Sequence, residues 1–177
     1  MIADVNLVEP CIIKQDGKSK KKRTDFNLCF IRIDGTPCSQ PRHRVTTING
    51  KARMYDPSSK KKEQFKKVLL SRSRKRVSGR VCLSVTFYMP RPKHHYRTGK
   101  YKDKLKETSP WIHTIKPDID NLLKFVMDCG QNLLWNDDCE IFQVETRKCY
   151  SKYPRTEIEY WEMPEDLNNQ ESNVNDR

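Results

Sequence analysis

Residues 118–131, DIDNLLKFVMDCGQ, carry apolar side chains at the spacing of one face of an α-helix. That face consists of Leu122, Leu123, Val126 and Met127. Segments before and after this stretch alternate apolar and polar residues with a period of two, which is typical of β-strands. A chain that changes between these two periods is expected to fold as a mixed α/β domain.

The remaining segments predict the order β-α-β-α-β-β. Strands are expected at 26–35, 79–92, 140–152 and 156–163, and a first helix at 60–76. The last two strands are expected to form a hairpin over 140–163. Residues 36–59 predict a loop with room for a short hairpin around Asn49-Gly50. The predicted fold class is α/β, a two-layer domain with two helices on one face of a mixed four-stranded sheet.

The length and the charge runs divide the chain into three parts. Its 177 residues are enough for one domain with a sizeable core, expected at 25–163. Residues 1–24 end in the lysine block KSKKKRT and predict a basic flexible arm. That block fits phosphate binding, a nuclear address, or simply a solvated charge run. Residues 164–177 are polar and predict a disordered tail.

Charge is distributed unevenly along the chain. Residues 1–110 contain 28 Lys and Arg against 9 Asp and Glu, a net charge of +19. Residues 111–177 contain 7 against 14, a net charge of −7. A strongly basic half favours a polyanionic partner, and nucleic acid is the natural one. An acidic protein or an anionic lipid would also fit the charge, as would a basic surface with no dedicated ligand.

The sequence contains no apolar run long enough to cross a membrane, and its N-terminus is a poor signal peptide. Its seven cysteines form no C-x-x-C pair, which predicts neither a disulfide framework nor a zinc knuckle. We therefore expect an intracellular protein without a membrane partner. The cytoplasm and the nucleus both remain open.

Two aspartates, Asp118 and Asp120, stand where the apolar helix pattern begins. One of them is explained by capping, because acids are favoured at helix N-termini. Asp120, Lys124 and Asp128 are spaced four residues apart, so they share one side of the helix and suit a salt-bridge ladder. Capping explains one of the two aspartates better than both. A salt-bridge ladder explains only the row formed by Asp120, Lys124 and Asp128.

A second acidic pair, Asp137 and Asp138, precedes the strand expected at 140–152. If the return from the helix brings this strand start close, then Asp118, Asp120 and Asp138 converge. Convergent carboxylates repel unless a cation holds them, and oxygen ligands without His or Cys suit Mg²⁺ or Mn²⁺. Such a metal polarises a phosphate oxygen and activates the attacking water, while Lys124 stabilises the developing charge.

Residues 116–148, KPDIDNLLKFVMDCGQNLLWNDDCEIFQVETRK, resemble the RusA family of Holliday junction resolvases. That family has an Asp-x-Asp-Asn-Leu-x-Lys helix start, a later Asp in the helix, an Asp-Asp pair before a strand and a Lys at the end of that strand. The matching positions, in order, are Asp118, Asp120, Asn121, Leu122, Lys124, Asp128, Asp137, Asp138 and Lys148. The resemblance extends more weakly over residues 28–163.

This resemblance implies a homodimeric, Mg²⁺-dependent endonuclease that resolves four-way branched DNA by paired symmetric nicks in recombination and repair. Asp118, Asp120 and Asp138 would be the catalytic metal ligands, Lys124 a catalytic cation, and Asp137 secondary. A two-fold dimer suits the task because junction resolution requires two matched nicks.

Several cations are candidate contacts to the DNA backbone: Arg42, Arg44, Arg91, Lys93, Arg97, Lys116 and Lys148. Tyr96, Tyr101 and Trp111 lie in or beside the basic loop at 93–111, where they either stack on unpaired bases or cover edges of the core. Two other functions stay open. One is a nuclease for other branched or flap DNA, and the other is a non-catalytic DNA- or RNA-binding protein whose acids are structural.

Overall fold

Two helices and two sheets make up the described part of the chain in the computed structural model, which describes residues 27–42, 44–48 and 50–163. The strands are β1 (Cys29–Asp34), β2 (Arg44–Ile48), β3 (Lys51–Tyr55), β4 (Val81–Pro90), β5 (Ile141–Ser151) and β6 (Arg155–Glu162). The helices are α1 (Ser59–Arg72) and α2 (Ile119–Gly130). The arm predicted at 1–24 and the tail predicted at 164–177 lie outside the described residues.

The main sheet has four strands in the order β1-β6-β4-β5, and it is mixed. β4 runs parallel to β5 and antiparallel to β6, which also pairs antiparallel with β1. This confirms the predicted mixed four-stranded sheet and the two helices. The hairpin expected over 140–163 is wrong, because β5 and β6 are not neighbours and β4 lies between them.

The burial of β4 explains why it separates the last two strands. Seven of its ten residues are buried, and they come from both faces of the sheet: Val81, Leu83, Val85, Phe87 and Met89 on one face, and Cys82 and Thr86 on the other. A strand with buried residues on both faces suits the interior of a sheet better than its edge. β5 and β6, which carry charged residues at many positions, therefore pair on either side of it.

Helix α2 buries two residues of the predicted apolar face, Leu122 and Val126, whereas Leu123 and Met127 are half-buried and Phe125 is buried in addition. Leu122, Phe125 and Val126 are fully or almost fully buried against the sheet and against Trp135 in the following connection. Helix α1 lies beside α2, with Phe65 edge-on to Phe125 at a ring distance of 5.3 Å. α1 ends at Arg72, four residues earlier than predicted, because the chain becomes extended at Ser73.

A separate two-stranded sheet, β2 and β3, forms within the segment 36–59. Thr47 pairs with Ala52 and Arg44 with Tyr55 across an antiparallel turn at Gly50, where φ is +73°. The short hairpin allowed for in this loop is therefore present. In the part of the chain that the structure describes, no helix is long and apolar enough to span a membrane.

Candidate active site

The two aspartates Asp118 and Asp120 lie together at the start of α2. Asp118 is the N-cap residue, with extended backbone angles (φ −70°, ψ 148°), but its side chain makes no capping hydrogen bond. Asp120 lies in the first turn, and its Oδ1 accepts only a long hydrogen bond of 3.4 Å from the side-chain Nδ2 of Asn121. Both residues are exposed. Their carboxylates are thus at the positive end of the helix dipole without being used to cap it.

The segment that carries these acids is fastened to β5 by Lys148. Its Nζ donates hydrogen bonds to the backbone carbonyls of Ile115 and Pro117, both at 2.6 Å. The peptide bond between Lys116 and Pro117 is cis. The sequence predicts that Lys148 contacts DNA, whereas in the structure its ammonium group binds the backbone just before Asp118.

The residues upstream of this segment form an isolated antiparallel bridge with β5, between Ile112 and Cys149. The Tyr150 amide donates to the Trp111 carbonyl at 2.7 Å, and the His113 amide donates to the Lys148 carbonyl at 3.3 Å. The His113 ring is buried against Tyr150, with ring centroids 4.6 Å apart. Burial lowers the pKa of His113, and the positive charge of Lys148 lowers it further. Residues 111–117 are therefore held to β5 at both ends.

The second acidic pair lies in a short 3₁₀ turn, Asp138–Glu140, before β5. Asp138 accepts a hydrogen bond from Trp135 Nε1 at 2.8 Å. Asp137 accepts from the Cys139 amide at 2.9 Å and from Gln131 Nε2 at 3.2 Å. The bond from the Cys139 amide, above all, holds the pKa of Asp137 below its usual range. The Trp135 indole thus orients Asp138, and hydrogen bonds from Cys139 and Gln131 orient Asp137.

Asp138 lies at the opposite end of α2 from Asp118 and Asp120. The Trp135 ring that bonds it packs against Gly130, the last residue of α2, so closely that a β-carbon there would lie 2.4 Å from Cη2. The 12 residues of α2 span about 18 Å. Within the described residues, no three His, Cys, Asp or Glu side chains are grouped to hold a metal ion.

The expected convergence of the three acids is therefore not met within one chain. The cause lies in the return loop, where the amides of Leu133 and Leu134 donate to the Gly130 carbonyl at 2.9 and 2.8 Å. These turns keep the loop at the C-terminal end of α2. The strand start that carries Asp138 consequently stays at that end instead of reaching the start of the helix.

Asp128 belongs to an ion-pair network that the sequence did not reveal. Lys62 of α1 lies 2.8 Å from Asp128 Oδ2 and 2.8 Å from Asp56 Oδ2. The hydrogen bond from Lys62, followed by that from Ser58, holds the pKa of Asp56 well below its usual range. Among the described residues Lys124 has no ion pair, so the ladder suggested for the α2 stripe does not form. Lys124 is exposed and lies one helical turn after Asp120.

The remaining candidate cations fall into two groups. Arg42, Arg44, Lys93 and Lys116 are exposed. The other two have partners within the protein, Arg91 donating to the Pro110 carbonyl at 2.8 Å and Arg97 pairing with Glu107 at 2.8 Å. The first group is therefore available to phosphate, while Arg91 and Arg97 already have partners within the protein.

Sequence reasoning did not identify two residues that organise the acids. The anchoring role of Lys148 has no local signal, because its targets lie more than 30 residues away. The role of Trp135 has a weak signal in the sequence. A buried indole N–H requires an acceptor, and Asp138 lies three residues later.

The protein is thus a mixed α/β protein of basic net charge, with two exposed aspartates at the start of a helix. The family model described as Endodeoxyribonuclease RusA matches residues 34–160. The chain belongs to the RusA endodeoxyribonuclease family, and it is an enzyme of that type. The acidic residues described above all lie within the matched range.

Two relatives extend this assignment. Uncharacterized protein YqaN of Bacillus subtilis (strain 168) is 35% identical over 129 residues, which cover 71% of this chain and 90% of that protein. A protein of Lactococcus phage r1t named crossover junction endodeoxyribonuclease rusA is 27% identical over 139 residues, covering 75% of this chain and 95% of the phage protein. The similarity therefore spans nearly the full length of both relatives.

Proposed function

We propose that this protein is a Mg²⁺-dependent endonuclease that resolves four-way DNA junctions by paired nicks, with Mn²⁺ as a possible substitute metal. The family assignment supports internal cleavage of DNA, and the name of the phage relative supports the junction as substrate. The net charge of +12 supports tight binding to the phosphate backbone.

The observation that carries the proposal is the free state of Asp118 and Asp120. Neither carboxylate caps the helix or forms an ion pair within the described residues. Carboxylate oxygens are the ligands that Mg²⁺ prefers, so this pair fits the metal. A bound Mg²⁺ would polarise a phosphate oxygen and lower the pKa of an attacking water. Lys124, exposed one turn later, stabilises negative charge that develops on the phosphate.

We also propose that the third acid comes from a second protomer. Asp138 and Asp118 lie at opposite ends of a helix about 18 Å long, which is too far for one ion in one chain. A two-fold dimer that pairs the ends of two α2 helices in opposite directions brings Asp138 of each protomer beside Asp118 and Asp120 of its partner. Two such sites related by symmetry match the two nicks that junction resolution requires.

The first test is cleavage of a synthetic immobile four-way junction by the wild type and by Asp120→Asn, with Mg²⁺ and with EDTA. We expect paired nicks that need Mg²⁺ and disappear in the variant, while junction binding is retained because one repulsive charge is gone. Asp103→Asn is the matched control, since Asp103 is exposed and the same charge is removed. Junction binding by the wild type without cleavage under Mg²⁺ or Mn²⁺ would contradict the nuclease proposal.

The shared site has its own test, a mixture of two inactive variants, Asp120→Asn and Asp138→Asn. In a mixed dimer with shared sites, one site receives both intact acids, so single nicks reappear on exchange of subunits. If each site were built within one chain, no mixed dimer would contain an intact site. Absence of nicking by a verified mixed dimer would therefore refute sharing without affecting the nuclease proposal.

A further inference from the structure

An apolar surface is exposed immediately before the acidic helix start. Trp111, Ile112 and Ile115 have 56%, 51% and 60% of their surface accessible, within five residues of each other. Large apolar side chains clustered on a surface in this way mark an interaction site more often than isolated ones do. Nothing in the proposed cleavage chemistry uses them.

The backbone beneath this surface is held firmly. The Trp111 carbonyl accepts from the Tyr150 amide at 2.7 Å, and Arg91 donates to the preceding carbonyl, that of Pro110, at 2.8 Å. Buried His113 packs on Tyr150 from the same segment. Trp111 is therefore an exposed ring on a fixed support rather than a side chain on a loose loop.

The surface is also close to the acids. Trp111 is anchored at Tyr150 and Pro117 at Lys148, two residues apart on β5. Two residues of a strand span about 7 Å, so the two attachment points are neighbours on one edge of β5. A DNA strand whose phosphate lies at Asp118 would therefore run close to Trp111.

The surrounding charge favours DNA over a second copy of this chain as the partner. Residues 91–116 contain eight Lys and Arg and two Asp and Glu. Two copies meeting face to face here would bring like charges together, whereas a nucleic acid brings opposite charge. Aromatic rings beside a basic surface suit bases that have lost their pairing partner, because every base has a face on which to stack.

We propose that Trp111, with Ile112 and Ile115, is a stacking surface for a nucleobase unpaired at the branch point, and that it makes the site selective for branched DNA. This inference rests on the proposed function, since it names the feature of the substrate that the same site recognises. Trp111 acts on selectivity and is not itself a catalytic residue.

The test compares the dissociation constants for a four-way junction and for a linear duplex of equal length, in EDTA, for the full chain. Trp111→Ala is expected to weaken junction binding by about five-fold or more, the loss of one stacked base, and to leave duplex binding unchanged. Trp111→Phe retains a ring and should keep most of the affinity. Phe30→Ala removes an equally exposed ring from β1, the opposite edge strand, and should change neither constant.

Two results would overturn the inference. One is that Trp111→Ala changes the dissociation constants of the junction and the duplex equally, or changes neither. The other is that Trp111→Ala abolishes the dimer in analytical ultracentrifugation, which would assign the surface to a second copy of the chain. Cleavage by the wild type separates this inference from the proposed function. A wild type that cleaves junctions while Trp111→Ala binds normally refutes stacking alone. A selective loss of junction binding in a chain that never cleaves refutes the nuclease alone.

Discussion

Lys148 provides the sharpest prediction, because the structure and the sequence assign it different roles. Lys148→Met removes the ammonium that binds the carbonyls of Ile115 and Pro117 while keeping the unbranched stem. If the lysine is an internal anchor, its loss loosens the segment that positions Asp118. If it is a phosphate contact, its loss weakens DNA binding and leaves stability unchanged.

The expected magnitude follows from the two bonds. A hydrogen bond to a charged group contributes about 1.5–3 kcal/mol. Ile115 is exposed, so water replaces the ammonium at its carbonyl, whereas Pro117 is half-buried and loses more. We expect the free energy of unfolding to fall by about 2 kcal/mol, or about 4–8 °C in melting temperature for a chain of this size.

The consequence for activity is larger than that for stability. A displacement of about 1 Å in a catalytic group lowers the rate on the order of 100-fold, so junction cleavage should fall by about that factor while the dissociation constant for the junction stays near that of the wild type. Urea unfolding, cleavage and binding at several salt concentrations measure the three quantities.

Lys116→Met is the matched control, because Lys116 is an exposed lysine two residues from Asp118. Lys116→Met should leave the free energy of unfolding unchanged and weaken junction binding. The salt dependence of the binding constant should fall by roughly one phosphate contact. The anchoring argument would be refuted if Lys148→Met behaved in this way and retained full stability.

Two further predictions concern stability. Lys62→Met leaves the half-buried carboxylates of Asp56 and Asp128 facing each other and should cost about 2 kcal/mol in urea unfolding at pH 7. Because the pKa of Asp56 is lowered in the folded state, its contribution is present above the unfolded pKa of about 4 and is lost as the pH falls below it. The deficit should therefore shrink in acid, and a deficit independent of pH would contradict the assignment. Gly130→Ala gains about 1 kcal/mol in helix propensity, but its β-carbon meets the Trp135 ring at 2.4 Å, so we expect a net loss of about 1 kcal/mol by thermal unfolding. A stabilised variant would show that Trp135 moves freely.

The features that sequence reasoning predicted correctly depend on neighbouring residues. The apolar face of α2 and the alternation in β4 are local patterns, and both elements form close to the predicted bounds. The pair Asp118 and Asp120 lies at the helix start for the same reason, because the residues of one helical turn cannot be separated by the rest of the fold.

The order of the strands was decided by tertiary structure alone. Strands that are consecutive in the chain usually pair, which predicts a hairpin of β5 and β6. β4 lies between them because residues on both of its faces are buried, and an interior position in the sheet covers both faces. The central position of β4 depends on how its burial compares with that of every other strand. The sequence of one segment therefore cannot predict it.

The same distinction divides the site. The sequence by itself determined which acids are present and which two share a helix start. The tertiary structure decided that Asp138 lies at the far end of α2, that Lys148 anchors the acidic segment, and that Trp111 is exposed beside it. These positions depend on contacts between residues distant in the chain, and such contacts form only once the sheet order and the return loop are set.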